Sequence, residues 1–178
     1  MKQNMILIGM KACGKTTVGK LLAKKLKIQL FEVDREIENK HQKLQNEKLA
    51  FREVFQKYGK DYFRNLEISV LKQLAKKIKN LSYVLSCGGG TVLPETNQRI
   101  IRKMGMIIFL NTDKKILLTR IIKDGIPAFF PYPDNPKKSL SILMKERLPV
   151  YKNLANIIIN IKNETPRKIV NKILEDYS

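Results

Sequence analysis

Short apolar runs along this chain alternate with longer stretches in which apolar residues recur every three or four positions. Met5-Ile6-Leu7-Ile8 is a run of the first kind; it predicts a strand buried on both faces. Residues 16–27 place Val18, Leu21, Leu22 and Leu26 on one helical face. The same alternation predicts strands over 28–33, 81–86, 106–110 and 157–161. It predicts helices over 48–58 and 60–79, divided near Gly59, and over 113–122, 139–154 and 166–177. Asp34 is the expected cap of a further helix beginning Arg35-Glu36-Ile37, and Pro94 starts one reaching about residue 103. Strands interleaved with amphipathic helices predict an α/β fold: a three-layer αβα sandwich around a five-stranded parallel sheet. On such sheets ligands bind beyond the carboxyl ends of the strands. The one long interruption is "KDGIPAFFPYPDNPKK", residues 123–138. Its four prolines argue against regular structure, and a connection of that length suggests a lid.

Composition narrows the partners. The chain has 178 residues, enough for one domain with its own core. A formal net charge of +19 favours anionic ligands, whether nucleic acid, membrane surface or small phosphorylated and carboxylated molecules. The basic residues fall in scattered pairs such as Lys24-Lys25 and Lys76-Lys77, the pattern of a solvated face. Two cysteines and one histidine exclude a disulfide framework, a zinc finger and a His-based triad. The apolar run ending at Gly9 is too short for a signal peptide or a membrane span, so a cytoplasmic protein is expected.

Gly9-Met10-Lys11-Ala12-Cys13-Gly14-Lys15-Thr16 matches the phosphate-loop pattern G-x-x-x-x-G-K-[ST], between a predicted strand and a predicted helix. Loop amides and the helix N-terminus attract phosphate. Lys15 is the expected β/γ-phosphate ligand and Thr16 the expected Mg²⁺ ligand; Thr17 follows directly. Cys13 is read as a small side chain that fits the loop. The third strand ends in Ser86-Cys87 without a carboxylate. The strand-end acids are therefore Glu32 and Asp34, either to hold Mg²⁺ or orient an acceptor hydroxyl, or to serve as a surface acid and a helix cap.

Further segments carry a family resemblance. Phe31-Glu-Val-Asp34-Arg-Glu-Ile-Glu38, Val54-Phe55, Gly59, Phe63-Arg64-Asn-Leu-Glu67, Ser86-Cys-Gly88-Gly89-Gly90-Thr-Val and Glu146-Arg147-Leu-Pro149-Val-Tyr151 follow in order. In content and spacing the chain resembles shikimate kinases over nearly its whole length. The resemblance implies a P-loop fold of the nucleoside monophosphate kinase type, with a substrate-binding helical segment at about 35–65 and a lid at about 122–138. It implies ATP- and Mg²⁺-dependent phosphorylation of the shikimate 3-hydroxyl by a monomer that uses neither nucleic acid nor membrane. Asp34 would contact the acceptor hydroxyls and help remove the proton, with Lys15 the other catalytic residue. Arg64 and Arg147 would hold the substrate carboxylate, and Gly88, Gly89 and Gly90 would bring backbone close to the ring. Arg120 would contact the nucleotide base.

Three positions depart from that pattern. Ala12 replaces the second glycine of the phosphate loop, expected to be a minor change. Glu32 stands where the family commonly has Asp near the Mg²⁺ water shell. Ile126 stands before Pro127, where the family's lid usually carries an arginine that reaches the transferring phosphate; Lys123, Lys137 and Lys138 are the candidate replacements. The departures keep open a related kinase for another small hydroxylated acid. The net charge keeps open a nucleotide- or nucleic-acid-binding regulator, although no aromatic-interleaved basic run supports the latter.

Overall fold

The computed structural model describes residues 4–177. Strands β1 (Asn4–Ile8), β2 (Gln29–Glu32), β3 (Tyr83–Ser86), β4 (Met106–Thr112) and β5 (Ile157–Ile161) form one sheet in the order β2-β3-β1-β4-β5, and every pairing is parallel. The central strands are the most apolar because helices cover both their faces. Met5 to Ile8, Tyr83 to Leu85 and Ile107 to Leu110 are all buried. The edge strands are more open, and Gln29, Ile158 and Asn160 face solvent.

Helix α1 (Lys15–Leu26) packs on β3 and against the closing helix α7 (Pro166–Tyr177). Between β2 and β3 the chain forms α2 (Val33–Gln45) and α3 (Phe51–Lys77), which pack together. Helix α4 (Glu95–Arg102) contacts α3 and β4; α5 (Lys114–Asp124) contacts α6 (Pro136–Leu154), which also lies on β4. Right-handed crossovers in such a sheet send α1 to one face and α3 and α4 to the other, giving the three expected layers. No described helix is long and apolar enough to cross a membrane.

Two local expectations are corrected. Asp34 does not cap α2: the cap position is Glu32, still extended at φ −118°, and the helix starts at Val33. Strand runs into helix without a turn because fully buried Val33 and Ile37 anchor its inner face. Asp34 is thus in the first turn, with no capping bond to make. The proline-rich interruption is also shorter than expected. Helix α5 continues to Asp124, and Pro136-Lys137-Lys138 open α6, whose cap Asn135 accepts a side-chain bond from Lys138 N at 3.0 Å. Proline suits that first turn, where its missing N–H has no helical partner to lose. The irregular segment is therefore 125–135.

Gly59 does divide α3. Its φ of 82° and ψ of 175° are open to glycine alone, and they kink the helix between its first turns and the longer half that follows.

The loop from β1 to α1 needs three residues at positive φ: Gly9 at 146°, Ala12 at 65° and Gly14 at 100°. Ala12 therefore costs more than its small methyl suggests, because a left-handed L-residue carries strain of about 1 kcal/mol. Ala12→Gly is expected to stabilise the protein by about 1 kcal/mol, read as a higher midpoint in urea unfolding with an unchanged slope. A lower midpoint would show that the methyl contributes packing worth more than the strain.

Candidate active site

The cleft lies above the carboxyl ends of neighbouring strands β2, β3 and β1, where β2 passes directly into α2 and the other two strands pass into loops. Its volume is about 1150 Å³, and it is bounded by the phosphate loop, the first turns of α2 and α3, Gly88 to Gly90, and the segment 127–131. Parallel pairing fixes this arrangement: Cys87 N donates to Leu7 O at 3.1 Å, so the chains after β1 and β3 emerge side by side. They then diverge, one toward β2 and the other toward β4, which opens a crevice between them.

At one end sits the phosphate loop. Lys15, nearly buried, donates through Nζ to the carbonyls of Gly9 and Met10, each at 2.9 Å. Thr16 Oγ1 donates to Glu32 Oε1 at 2.7 Å, joining the start of α1 to the end of β2. Arg120 on α5 donates to Ala12 O at 3.0 Å. Lys11, Ala12, Cys13, Gly14, Lys15, Thr16, Thr17, Glu32 and Arg120 all line the cleft; Gly9 and Met10 do not. Met10 belongs to the core, and both contribute the carbonyls that hold Lys15. Cys13 is buried, with Sγ 3.5 Å from Lys15 Nζ.

Asp34, Arg64, Gly88, Gly89, Gly90 and Arg147 line the other end. A Cβ on Gly88 would stand 2.8 Å from Asp34 Oδ1, and one on Gly90 would collide with the Arg64 guanidinium. The glycines are bare because charged side chains occupy the space beside them. Asp34 stays open to the cleft on one side, yet burial raises its carboxyl from 3.8 to about 6. Lys15 opposes that rise, while Glu67, Glu38 and Glu32 add to it.

The two arginines differ in their partners. Arg64 donates to Glu67 Oε2 at 2.6 Å, and Thr91 Oγ1 donates to Glu67 Oε1 at 2.8 Å. Glu67, 1% exposed, thereby ties α3 to the chain after the glycines. Arg147 is 6% exposed, has no carboxylate partner among the described residues, and leaves its Nε without a hydrogen bond. Its guanidinium lies 5.3 Å from the Phe129 ring, and a Cβ at Gly89 would sit 3.4 Å from its Nη1. Tyr151, one turn along α6, donates to Gly89 O. A buried cation without a counter-charge is costly, so the site is suited to an anion.

Glu67 and Tyr151 lie within the sequence motifs, which assign them no role, and the structure makes them the supports of the glycine loop. Arg52, Lys60 and Asp124 also line the cleft; nothing in their local sequence separates them from surface charges. The proposed substitutes for a lid arginine, Lys123, Lys137 and Lys138, do not line it. Lys138 instead lies 3.9 Å over the exposed Tyr132 ring. Ile126 is exposed and outside the cleft. The aromatics of residues 125–135 also divide: Phe130 is core, Phe129 covers Arg147, and Tyr132 faces solvent. Ser139 Oγ fixes the Tyr132 backbone, accepting from its N–H and donating to its carbonyl.

The chain is similar to known proteins over nearly its whole length. A family model described as shikimate kinase matches residues 11–178. The shikimate kinase of Thermodesulfovibrio yellowstonii is 31% identical over 98% of this chain and 95% of its own. That of Thermoanaerobacter pseudethanolicus is 34% identical over 98% and 96%. Among solved structures, the shikimate kinase of Acinetobacter baumannii in complex with shikimate superposes with a TM-score of 0.87 at 29% identity, covering 99% of this chain and 93% of that one.

The raised Asp34 carboxyl has a consequence for stability. Its folded value exceeds its unfolded one, so its contribution is fully present below about pH 4 and is lost as pH rises through about 6. Ionised Asp34 then costs the fold about 3 kcal/mol. Asp34→Asn removes that cost. The melting-temperature difference between variant and parent is expected to shift in the variant's favour between about pH 4 and pH 7. A difference independent of pH would mean that Asp34 titrates normally.

Proposed function

Since the chain belongs to the shikimate kinase family, and with it to the ATP-dependent phosphotransferases, we propose that it transfers the γ-phosphoryl group of ATP to the 3-hydroxyl of shikimate. The observation that carries this reading is Arg147: a buried guanidinium with an unpaired Nε, facing the cleft beside Gly89, a short way from the phosphate loop. A carboxylate on the acceptor would supply its missing counter-charge in forked geometry. Arg64, held at a fixed angle by Glu67, would grip the same carboxylate from α3.

With the carboxylate held there, the acceptor hydroxyls would fall between the glycine loop and Asp34. Asp34 would accept the hydroxyl proton as the oxygen attacks phosphorus. A carboxyl of about 6 is ionised at neutral pH yet basic enough to take up that proton. Lys15 and the loop amides would hold the β- and γ-phosphates, and Arg120 would lie along the base. Thr16 and Glu32, two hard oxygen donors joined at 2.7 Å, fit Mg²⁺. No group of three or more acidic, Cys or His side chains among the described residues could hold a metal, so phosphate oxygens and water would complete its shell. When bound, Mg²⁺ would neutralise phosphate charge. Residues 125–135 would close over the site as a lid hinged at Gly125, with Phe129 excluding water. The reading requires only ATP and shikimate as partners, a single chain and a cytoplasmic setting.

Coupled ADP release with shikimate and a panel of polyhydroxy acids tests the reading; turnover with another acid but none with shikimate would overturn it. Arg147→Ala is expected to raise the KM for shikimate roughly 10- to 100-fold and to leave the KM for ATP nearly unchanged. Arg64→Ala should act in the same direction, and an unchanged acceptor KM in both variants would remove the carboxylate clamp. The acid limb of kcat/KM should fall near the Asp34 value of about 6. Ile126→Arg is expected not to reduce turnover; a large loss would show that Ile126 itself supports the closed site.

A further inference from the structure

Phosphoryl transfer spreads negative charge over the γ-phosphoryl oxygens, and cations placed around them supply much of the catalysis. The closing segment brings none, because residues 125–135 read GIPAFFPYPDN. The charge must come from the walls of the cleft. Arg64 is engaged by Glu67, and Arg147 lies beside Gly89 on the acceptor side. Arg120 bonds the Ala12 carbonyl, and Arg52 and Lys60 line the cleft from α3 but are exposed to solvent.

Lys11 differs from all of these. It lies in the middle of the phosphate loop, lines the cleft and is half-buried, and its side chain makes no hydrogen bond or ion pair with another described residue. Its backbone N is 3.4 Å from the place a Cβ on Gly89 would occupy, so it stands where the phosphate and acceptor loops meet. Burial and then Arg52 lower its pKa, with Lys15 acting the same way, while Asp124 and Asp34 raise it. Lys11 is thus within electrostatic reach of both the phosphate-binding lysine and the acceptor-side carboxylate.

We propose that Lys11 is a second phosphoryl-binding cation, whose ammonium contacts the γ-phosphoryl oxygens during transfer and does the work that the closing segment's missing cation would do. The proposal rests on the kinase reading above. In the step, the bond from acceptor oxygen to γ-phosphorus forms and the bond from γ-phosphorus to the bridging oxygen breaks. The electron pair leaves with ADP, and the hydroxyl proton passes to Asp34. Lys11 keeps its proton throughout and neutralises the equatorial oxygens.

The test uses the whole chain and the variants Lys11→Met and Lys11→Arg, each checked for an unchanged melting temperature. Steady-state turnover is measured with ATP, Mg²⁺ and shikimate. Lys11→Met is expected to lose roughly 10²- to 10³-fold in kcat, with the shikimate KM and the affinity for ADP each within about threefold of the parent. Lys11→Arg should recover part of the loss. A binding measurement separates transition-state from ground-state contact: ADP with aluminium fluoride and shikimate, a mimic of the planar phosphoryl, should bind the parent tightly and Lys11→Met weakly. A kcat within threefold of the parent, or equal losses for ADP and for the mimic, would overturn the proposal. A parent without shikimate turnover would instead overturn the kinase reading. Should Lys11→Met fold poorly, Lys11→Gln carries the same comparison.

Discussion

The parallel pairing of β1 with β3 sets the terms for everything above it. Two chains leave the sheet side by side at its carboxyl end, and a ligand between them meets main chain first. Backbone can approach that closely only where side chains are withheld. The chain meets this demand with Gly14 after one strand and Gly88 to Gly90 after the other. The space saved at the second loop is used by charges: Asp34 beside Gly88, Arg147 beside Gly89 and Arg64 beside Gly90. The loop is bare because its neighbours are crowded, and its position is then held from outside by Glu67 through Thr91 and by Tyr151.

Electrostatics in this cleft is an exchange between costs to the free fold and readiness for a ligand. Asp34 is held in surroundings that resist its ionisation, and Arg147 is buried with no carboxylate partner among the described residues. Either feature alone would weaken a purely structural core. Together they suit the cleft to ligands that supply what these two groups lack, as the proposed carboxylate and phosphate would. The overall charge of +19 works at longer range, drawing anionic ligands toward the cleft. It does not by itself assign any one lysine a task, because most of the basic residues lie on solvated surfaces.

Much of the fold was legible in the sequence, for a simple reason. Strands buried on both faces must be apolar throughout, so Met5 to Ile8 announced itself, and Gly59 marked a break that no L-residue tolerates. The errors arose where neighbouring elements, rather than local preference, set the boundary. Asp34 looks like a cap, yet the burial of Val33 starts the helix two residues earlier than expected. Pro136 looks like a breaker, yet Asn135 makes it the first turn of α6. Ala12 looks like a harmless methyl, and its cost lies in a backbone angle that sequence does not display.

The sequence by itself determined the sheet, the phosphate loop and the family, since apolar run length, glycine spacing and motif order are properties of the chain read in line. It also gave the residue types a phosphorylated and a carboxylated ligand would need. Only the tertiary structure decided which charges face one another. Lys123, Lys137 and Lys138 are the cations nearest in sequence to Ile126, and none lines the cleft. Lys11, far away in the chain, stands at the junction of the two loops. Charge partners are chosen by the packing of α2, α3 and α6 around the strand ends, and the distances that packing creates bear no relation to separation along the chain.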